Sequence, residues 1–210
     1  MSERIIETEA DVAEGAAWLG RAEPRFGAVS ARLGLPPLRR ETPGFIALAR
    51  AICSQQLSVA SARAVWGRLQ AAGADDPRTL AALDDDTLRG CGLSRPKIRY
   101  LRAIAAADLD YPALAAMPEP EAVATLTAIP GIGVWTAEVY LMFAIGRADV
   151  FAPGDLALQE GARMLFDLPE RPSEKALRVQ AEAWSPWRAV AARLLWAHYA
   201  EMKSRQGIME

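Results

Sequence analysis

The chain has 210 residues, 51% of them hydrophobic, with a net charge of −2, two cysteines and one histidine. That is enough apolar material for a substantial core, and too few cysteines for a disulfide framework or a four-cysteine cluster. No apolar run is long and uncharged enough to span a bilayer, and the opening MSERIIETEADVAEG lacks a basic-then-apolar leader, so a cytoplasmic protein with no membrane partner is expected.

The signals in chain order are almost wholly helical: an all-α fold of about ten helices. Thr8 with Asp11 and then Thr42-Pro43 read as helix N-termini, and Ser58, Asp76-Pro77, Ser94, Ser173-Glu174 and Ser185-Pro186 repeat the pattern. Gly73, Gly92 and Gly146 read as stops. Ala62, Val65, Trp66 and Leu69 recur at helical spacing, as do Trp187, Val190, Leu194 and Leu195. Cys53 and Cys91 lie in apolar surroundings and read as reduced core residues. Arg95, Lys97, Arg99 and Arg102 crowd one segment, and Arg188 and Arg193 another, while Asp75, Asp76 and Asp84 to Asp86 are acidic. A local basic face can hold phosphates in a protein that is acidic overall; otherwise such runs are solvated helix surfaces.

The most informative stretch is LTAIPGIGVWTAEVYLMFAIGRADVFAPGD, from Leu126 to Asp155. Pro130 ends one helix. Gly131 and Gly133 permit positive φ and close approach, and the next helix starts near Trp135. Helices joined so tightly leave N–H groups at the second N-terminus facing an anion, a phosphodiester being the evident one. Asp155 then opens a further helix, where it can serve as N-cap.

Pro130-Gly131-Ile132-Gly133, Trp135-Thr136-Ala137, Val150-Phe151 with Asp155, and Trp184-Ser185-Pro186-Trp187-Arg188 occur in an order that resembles the helix-hairpin-helix (HhH-GPD) DNA glycosylases, specifically the 3-methyladenine glycosylase II branch (AlkA-type). Ser54-Gln55-Gln56-Leu57-Ser58 and Gly92-Leu93-Ser94 through Lys97 are similar to that branch too, so the likeness covers about residues 43–199. It implies a catalytic core without the N-terminal β-rich domain of larger relatives. It also implies a two-lobed helical bundle, lobe A at about 1–42 plus 145–210 and lobe B at about 43–144 with the hairpin at 129–133, and an active site in the cleft between the lobes.

Cleaving an N-glycosidic bond builds positive charge on the deoxyribose, so the site needs an anion near the anomeric carbon and a base to orient water. One carboxylate suffices when the leaving base is already cationic, as in an N3- or N7-alkylated purine. Asp155 is the candidate. Bifunctional relatives carry a Schiff-base lysine just after the hairpin; Trp135 stands there and has no amine, which points to a monofunctional enzyme using water. The expected activity is excision of 3-methyladenine, and of 7-methylguanine, from duplex DNA, leaving an abasic site.

The resemblance implies further roles. Pro130, Gly131, Ile132, Gly133 and Thr136 would meet the DNA backbone. Trp135, Trp196 and Val139 would wall the base pocket, an indole face suiting a flipped cationic base; some relatives have tyrosine where Val139 stands. Trp184 and Trp187 read instead as packing of the C-terminal helix. Gln55, Gln56, Leu57 and Ser58 form the loop that plugs the vacated duplex, Gln56 or Leu57 intercalating; some relatives place an apolar wedge at Gln56. Ser94, Lys97 and Arg188 would contact phosphates. The carbonyls of Thr127, Ile129 and Ile132 would hold a monovalent cation, sodium or potassium, and no cofactor is required. His198 reads as a packed side chain. A monomer suffices. Two other readings fit the same residues: a glycosylase for deaminated bases, whose pocket would be more polar, and a non-catalytic helix-hairpin-helix DNA-binding module.

Overall fold

The computed structural model describes residues 4–207, the side chains of residues 59, 206 and 207 aside, and divides into two units, residues 1–40 with 141–210 and residues 41–140. Among the described residues there are thirteen α-helices and no strand. The excess over ten comes from short helices that carry too little periodicity to stand out, such as Asp85–Gly90 and Tyr111–Ala116, each of six residues.

The first unit holds α1 (Glu9–Ala22), α2 (Pro24–Leu33), α11 (Leu156–Leu165), α12 (Glu174–Ala181) and α13 (Arg188–Gly207). A π-helical turn at Leu141–Ile145 and a 3-10 turn at Glu182–Trp184 also belong to it. Thr8 and Asp11 form the reciprocal capping box expected of them. The long α13 buries Ala189, Val190, Ala191, Ala192, Leu194 and Leu195. It comes so close to α11 that a Cβ on Gly161 would lie 2.8 Å from the Leu195 carbonyl oxygen, and only glycine permits that approach. Trp184 is core, as expected: it stacks on Phe166 at 5.8 Å and meets Phe26 and Phe151 edge-on at 5.3 and 5.4 Å. Trp187 is buried as well. Ser185 is no N-cap. It closes the 3-10 turn, its hydroxyl donates to Asp149 at 2.7 Å, and α13 starts at Arg188.

The second unit runs α3 (Phe45–Ser54), α4 (Val59–Ala71), α5 (Pro77–Ala82), α6 (Asp85–Gly90), α7 (Arg95–Ala106), α8 (Tyr111–Ala116), α9 (Glu119–Thr127) and α10 (Val134–Tyr140). Leu48, Ile52, Leu69, Leu80, Leu88, Ile98, Leu101, Ile104 and Leu126 are its core. Helix α3 starts later than Thr42-Pro43, at Phe45 after Gly44, whose N–H donates to the Tyr140 hydroxyl at 3.1 Å. The acidic run has a structural use: Asp76 and Asp84 cap α5 and α6 by accepting from the N–H of Thr79 (2.8 Å) and Thr87 (2.7 Å), which holds both carboxyls below their usual range. Asp85 pairs with Arg102 at 2.7 Å, so the basic cluster on α7 is partly neutralised from α6.

Candidate active site

In the second unit, α9 ends at Thr127 and the chain turns through residues 128–133 before α10 begins at Val134. The turn is closed by the N–H of Ile129 donating to Leu126 O and that of Ile132 donating to Ile129 O, both at 3.1 Å. Ile129 and Ile132 are buried, whereas Pro130, Gly133, Val134 and Trp135 face outward. The two isoleucines fasten the hairpin to the core while its tip and the start of α10 stay accessible. Gly131 has φ +94° and sits against Tyr100 of α7, whose Cβ occupies the place of any side chain there. Thr136 is buried and Val139 half-buried. Trp135 is 41% exposed, unusual for an indole on a helix and suited to stacking.

The Ser54–Ser58 loop lies in the same unit. Gln56 adopts φ +57°, a left-handed conformation uncommon outside glycine, and is exposed; Leu57 is 40% exposed. Ser58 caps α4 by accepting from Ser61 N at 3.2 Å. Gln55 reaches the hairpin, its side-chain amide donating to Gly131 O at 3.2 Å. Lys97, expected on a phosphate, points inward and donates to Cys53 O at 2.8 Å and Gln55 O at 2.7 Å. Ser94 begins α7 without a capping hydrogen bond from its side chain, and is exposed.

In the first unit, Asp155 is the N-cap of α11. Its Oδ1 accepts from Ala157 N at 2.9 Å, from Leu158 N at 3.0 Å and from the Trp196 indole Nε1–H at 3.1 Å. Two donors come from the helix the aspartate opens and the third from α13, 41 residues away in sequence, so Oδ1 is fixed from two helices. The preceding turn is held in its turn: Asp155 N donates to Ala152 O at 3.0 Å, and buried Gln159 donates its amide to Pro153 O at 2.8 Å. Trp196 stacks on Phe143 of the π-helical turn with centroids 5.7 Å apart. Its ring also lines a recess with Pro36, Pro37, Arg39, Arg193 and Ala197.

Arg193 is buried rather than part of a basic surface. Its guanidinium donates to Ala189 O at 2.8 Å and stands 4.7 Å from the Phe143 ring centre. Burial, with repulsion from Arg39 and Arg40, pushes its pKa down to about 10, so it stays charged at neutral pH. Arg188 grips Asp149 with two hydrogen bonds of 2.8 and 3.1 Å.

The resemblance implies for Trp196 only a wall of the base pocket; its hydrogen bond to Asp155 and the parts played by Phe143 and Gln159 emerge from the fold. The Trp196 spacing from Asp155 carries no local signal; the glutamine four residues into an Asp-capped helix was the one visible hint. Among the described residues no group of three His, Cys, Asp or Glu side chains can hold a metal ion. Cys53 and Cys91 are free thiols, both buried.

The model of the HhH-GPD superfamily base excision DNA repair proteins matches residues 49–188. DNA-3-methyladenine glycosylase 1 of Schizosaccharomyces pombe is 33% identical over 158 residues, which is 71% of this chain and 69% of that protein. Among solved structures, a DNA-3-methyladenine glycosidase from Bacillus halodurans superposes with a TM-score of 0.81 at 30% identity, covering 97% of this chain and 95% of the other. The S. pombe 3-methyladenine DNA glycosylase in complex with abasic DNA gives 0.79 at 28% identity, covering 87% and 95%.

Proposed function

The chain belongs to the HhH-GPD superfamily of base excision DNA repair proteins, and we propose that it is a monofunctional N-glycosylase that releases alkylated purines, 3-methyladenine foremost and 7-methylguanine with it, from duplex DNA. The observation that carries this reading is Asp155, a carboxylate held by three N–H donors at the mouth of a helix. Relatives of similar sequence and fold that bear the name 3-methyladenine glycosylase support the substrate class.

The chemistry follows from the side chains. As the base departs with the electrons of the glycosidic bond, the sugar becomes an oxocarbenium-like cation, which the fixed negative charge of Asp155 stabilises without reorganising at the moment of reaction. A cationic base leaves neutral and needs no proton. Water adds to C1′ and gives its proton to Asp155, then to solvent, leaving an abasic site with the strand intact. Trp135 occupies the position at which a lyase would present an amine, so no Schiff base forms through it. Its exposed face suits stacking on an extruded cationic base.

The second unit supplies the grip. The hairpin and the first N–H groups of α10 suit a backbone phosphate, and the exposed tip Gln56-Leu57 suits filling the space left by the flipped nucleotide. A sodium or potassium ion fits the oxygen-only character of the carbonyls of Thr127, Ile129 and Ile132 where α9 ends. One duplex per Asp155 makes a monomer sufficient.

The test is incubation with methylated duplex DNA, chromatography of the released bases, and scoring of strand breaks without alkali and of borohydride-trapped protein–DNA adducts. Free 3-methyladenine with neither breaks nor adducts is expected. Breaks with trapped adduct would overturn the monofunctional mechanism, and DNA binding without base release would favour a recognition module.

A further inference from the structure

The loop that carries Gln56 and Leu57 holds a strained tip, since a non-glycine residue at φ +57° persists only where its surroundings impose that conformation. On the far side of the tip Ser58 is fixed as the cap of α4. The tip itself is a tight turn, Leu57 N donating to Ser54 O at 3.1 Å, and on its near side Lys97 adds a second hold. Its ammonium donates to Cys53 O and Gln55 O, at 2.8 and 2.7 Å, the second being the carbonyl of the peptide that leads into Gln56. The same residue 55 then sends its side-chain amide to Gly131 O in the hairpin, at 3.2 Å. Three hydrogen bonds therefore run from α7 through the loop to the hairpin, and a charged donor makes the first two the strong members of the series.

We propose that Lys97 and Gln55 are positioning residues that set the loop tip in register with the hairpin, so that the side chain entering the duplex is aligned with the backbone phosphate the hairpin holds. The proposal rests on the glycosylase reading for the meaning of base extrusion, but the linkage itself is a property of residues 53–58, 97 and 131. Lys97 then makes no phosphate contact. It acts through the loop, and its loss affects extrusion of the nucleotide rather than encounter with DNA. Arginine can offer N–H donors to the same two carbonyls and should largely restore the function; methionine, of similar length, cannot.

The experiment compares wild type, Lys97→Met, Lys97→Arg and Gln55→Met in two assays on the intact protein. The first follows 2-aminopurine fluorescence beside an abasic-analogue site in duplex DNA, which reports unstacking without any chemistry, and measures affinity as a function of salt. The second follows single-turnover base release at saturating enzyme from methylated duplex and from methylated single strands. For Lys97→Met the expected result is a loss of the fluorescence change and a fall in duplex excision on the order of tenfold to a hundredfold, the cost of misplacing a positioned group by about an ångström. The salt slope should be unchanged, the deficit smaller on single strands, and Lys97→Arg close to wild type. Gln55→Met, which leaves the ammonium bonds in place, should show a weaker form of the same pattern.

A salt slope reduced by about 0.9, the signature of one lost phosphate contact, with extrusion intact would overturn the proposal, as would an equal deficit on duplex and single strands. Because the fluorescence assay needs no glycosidic cleavage, an inactive wild type would count against the glycosylase reading and leave this test standing.

Discussion

The hairpin at 128–133 and the turn before α11 are both helix N-termini made ready for negative charge, yet they are built from opposite materials. The hairpin is a main-chain device: two buried isoleucines hold it down, Gly131 fits against Tyr100, and what it offers outward is backbone. The Asp155 turn is a side-chain device that already contains its own anion, and its donors come from two helices, one of them α13. A grip made of backbone tolerates little change of shape and much change of side chain. A reactive carboxylate behaves the other way, since a near-isosteric replacement keeps the shape and removes the chemistry. The two regions should therefore separate under mutation into binding defects and rate defects.

The sharpest separation is expected from Asp155→Asn. Asparagine caps a helix about as well as aspartate, so thermal unfolding should stay near wild type and abasic-DNA affinity should be retained. Base release should fall on the order of a hundredfold to a thousandfold, the usual cost of removing one preorganised electrostatic group; a melting temperature that collapses with the rate would erase the distinction. Trp196→Phe keeps an aromatic ring but removes the Nε1–H donor. A hydrogen bond to a charged acceptor is worth about 1.5–3 kcal/mol, so single-turnover excision should slow roughly tenfold to a hundredfold with DNA affinity unchanged, and an unaltered rate would show that the helix donors alone suffice.

Gly131→Ala addresses the other region. A side chain at φ +94° that also meets Tyr100 should cost about 1–3 kcal/mol, visible as a lower urea midpoint with weaker DNA binding, while the excision rate extrapolated to saturating enzyme changes least. The smallest effect concerns His198, buried on α13, whose Nδ1 accepts from Arg32 at 3.1 Å. Burial and the Arg32 charge lower its pKa in the folded protein below the ordinary 6.5. The unfolded chain thus takes up the proton first as the solution is acidified, so this contribution to stability is complete above 6.5 and is lost as pH falls through the folded-state value. His198→Gln should flatten the decline of the urea midpoint between neutral and mildly acidic pH, and an unchanged slope would mean that other groups carry it.

What could be read from the amino-acid order tracks the same contrast. The all-helical fold and the PGIG turn depend on caps, prolines and glycines acting on neighbours, and Asp155 is legible in the same way as a helix cap, its part in the chemistry coming from the resemblance to the glycosylases. The Trp196 bond to Asp155 was not visible, because nothing near residue 196 records which turn of another helix its indole reaches. Lys97 shows the converse. Its setting among arginines suggests a solvent-facing cation, yet the carbonyls of Cys53 and Gln55 at the end of α3 lie within its reach and accept from two of its N–H groups. Arg193, also in a basic run, belongs to α13 and turns its guanidinium inward onto the carbonyls of Ala189 and Leu38. Charge type is written in the sequence; the direction a long side chain takes is decided by which unsatisfied backbone groups the fold leaves nearby.

The role proposed for Asp155 is to stabilise positive charge at the anomeric position. It is tested most directly by the affinities of wild type and Asp155→Asn for two duplexes, one bearing a cationic pyrrolidine abasic analogue and the other its neutral tetrahydrofuran counterpart. A transition-state-like cation should bind wild type at least about a hundredfold more tightly than the neutral analogue, and Asp155→Asn should lose most of that preference while keeping its affinity for tetrahydrofuran. Equal affinities of wild type for the two duplexes, or a preference that survives in Asp155→Asn, would contradict the account.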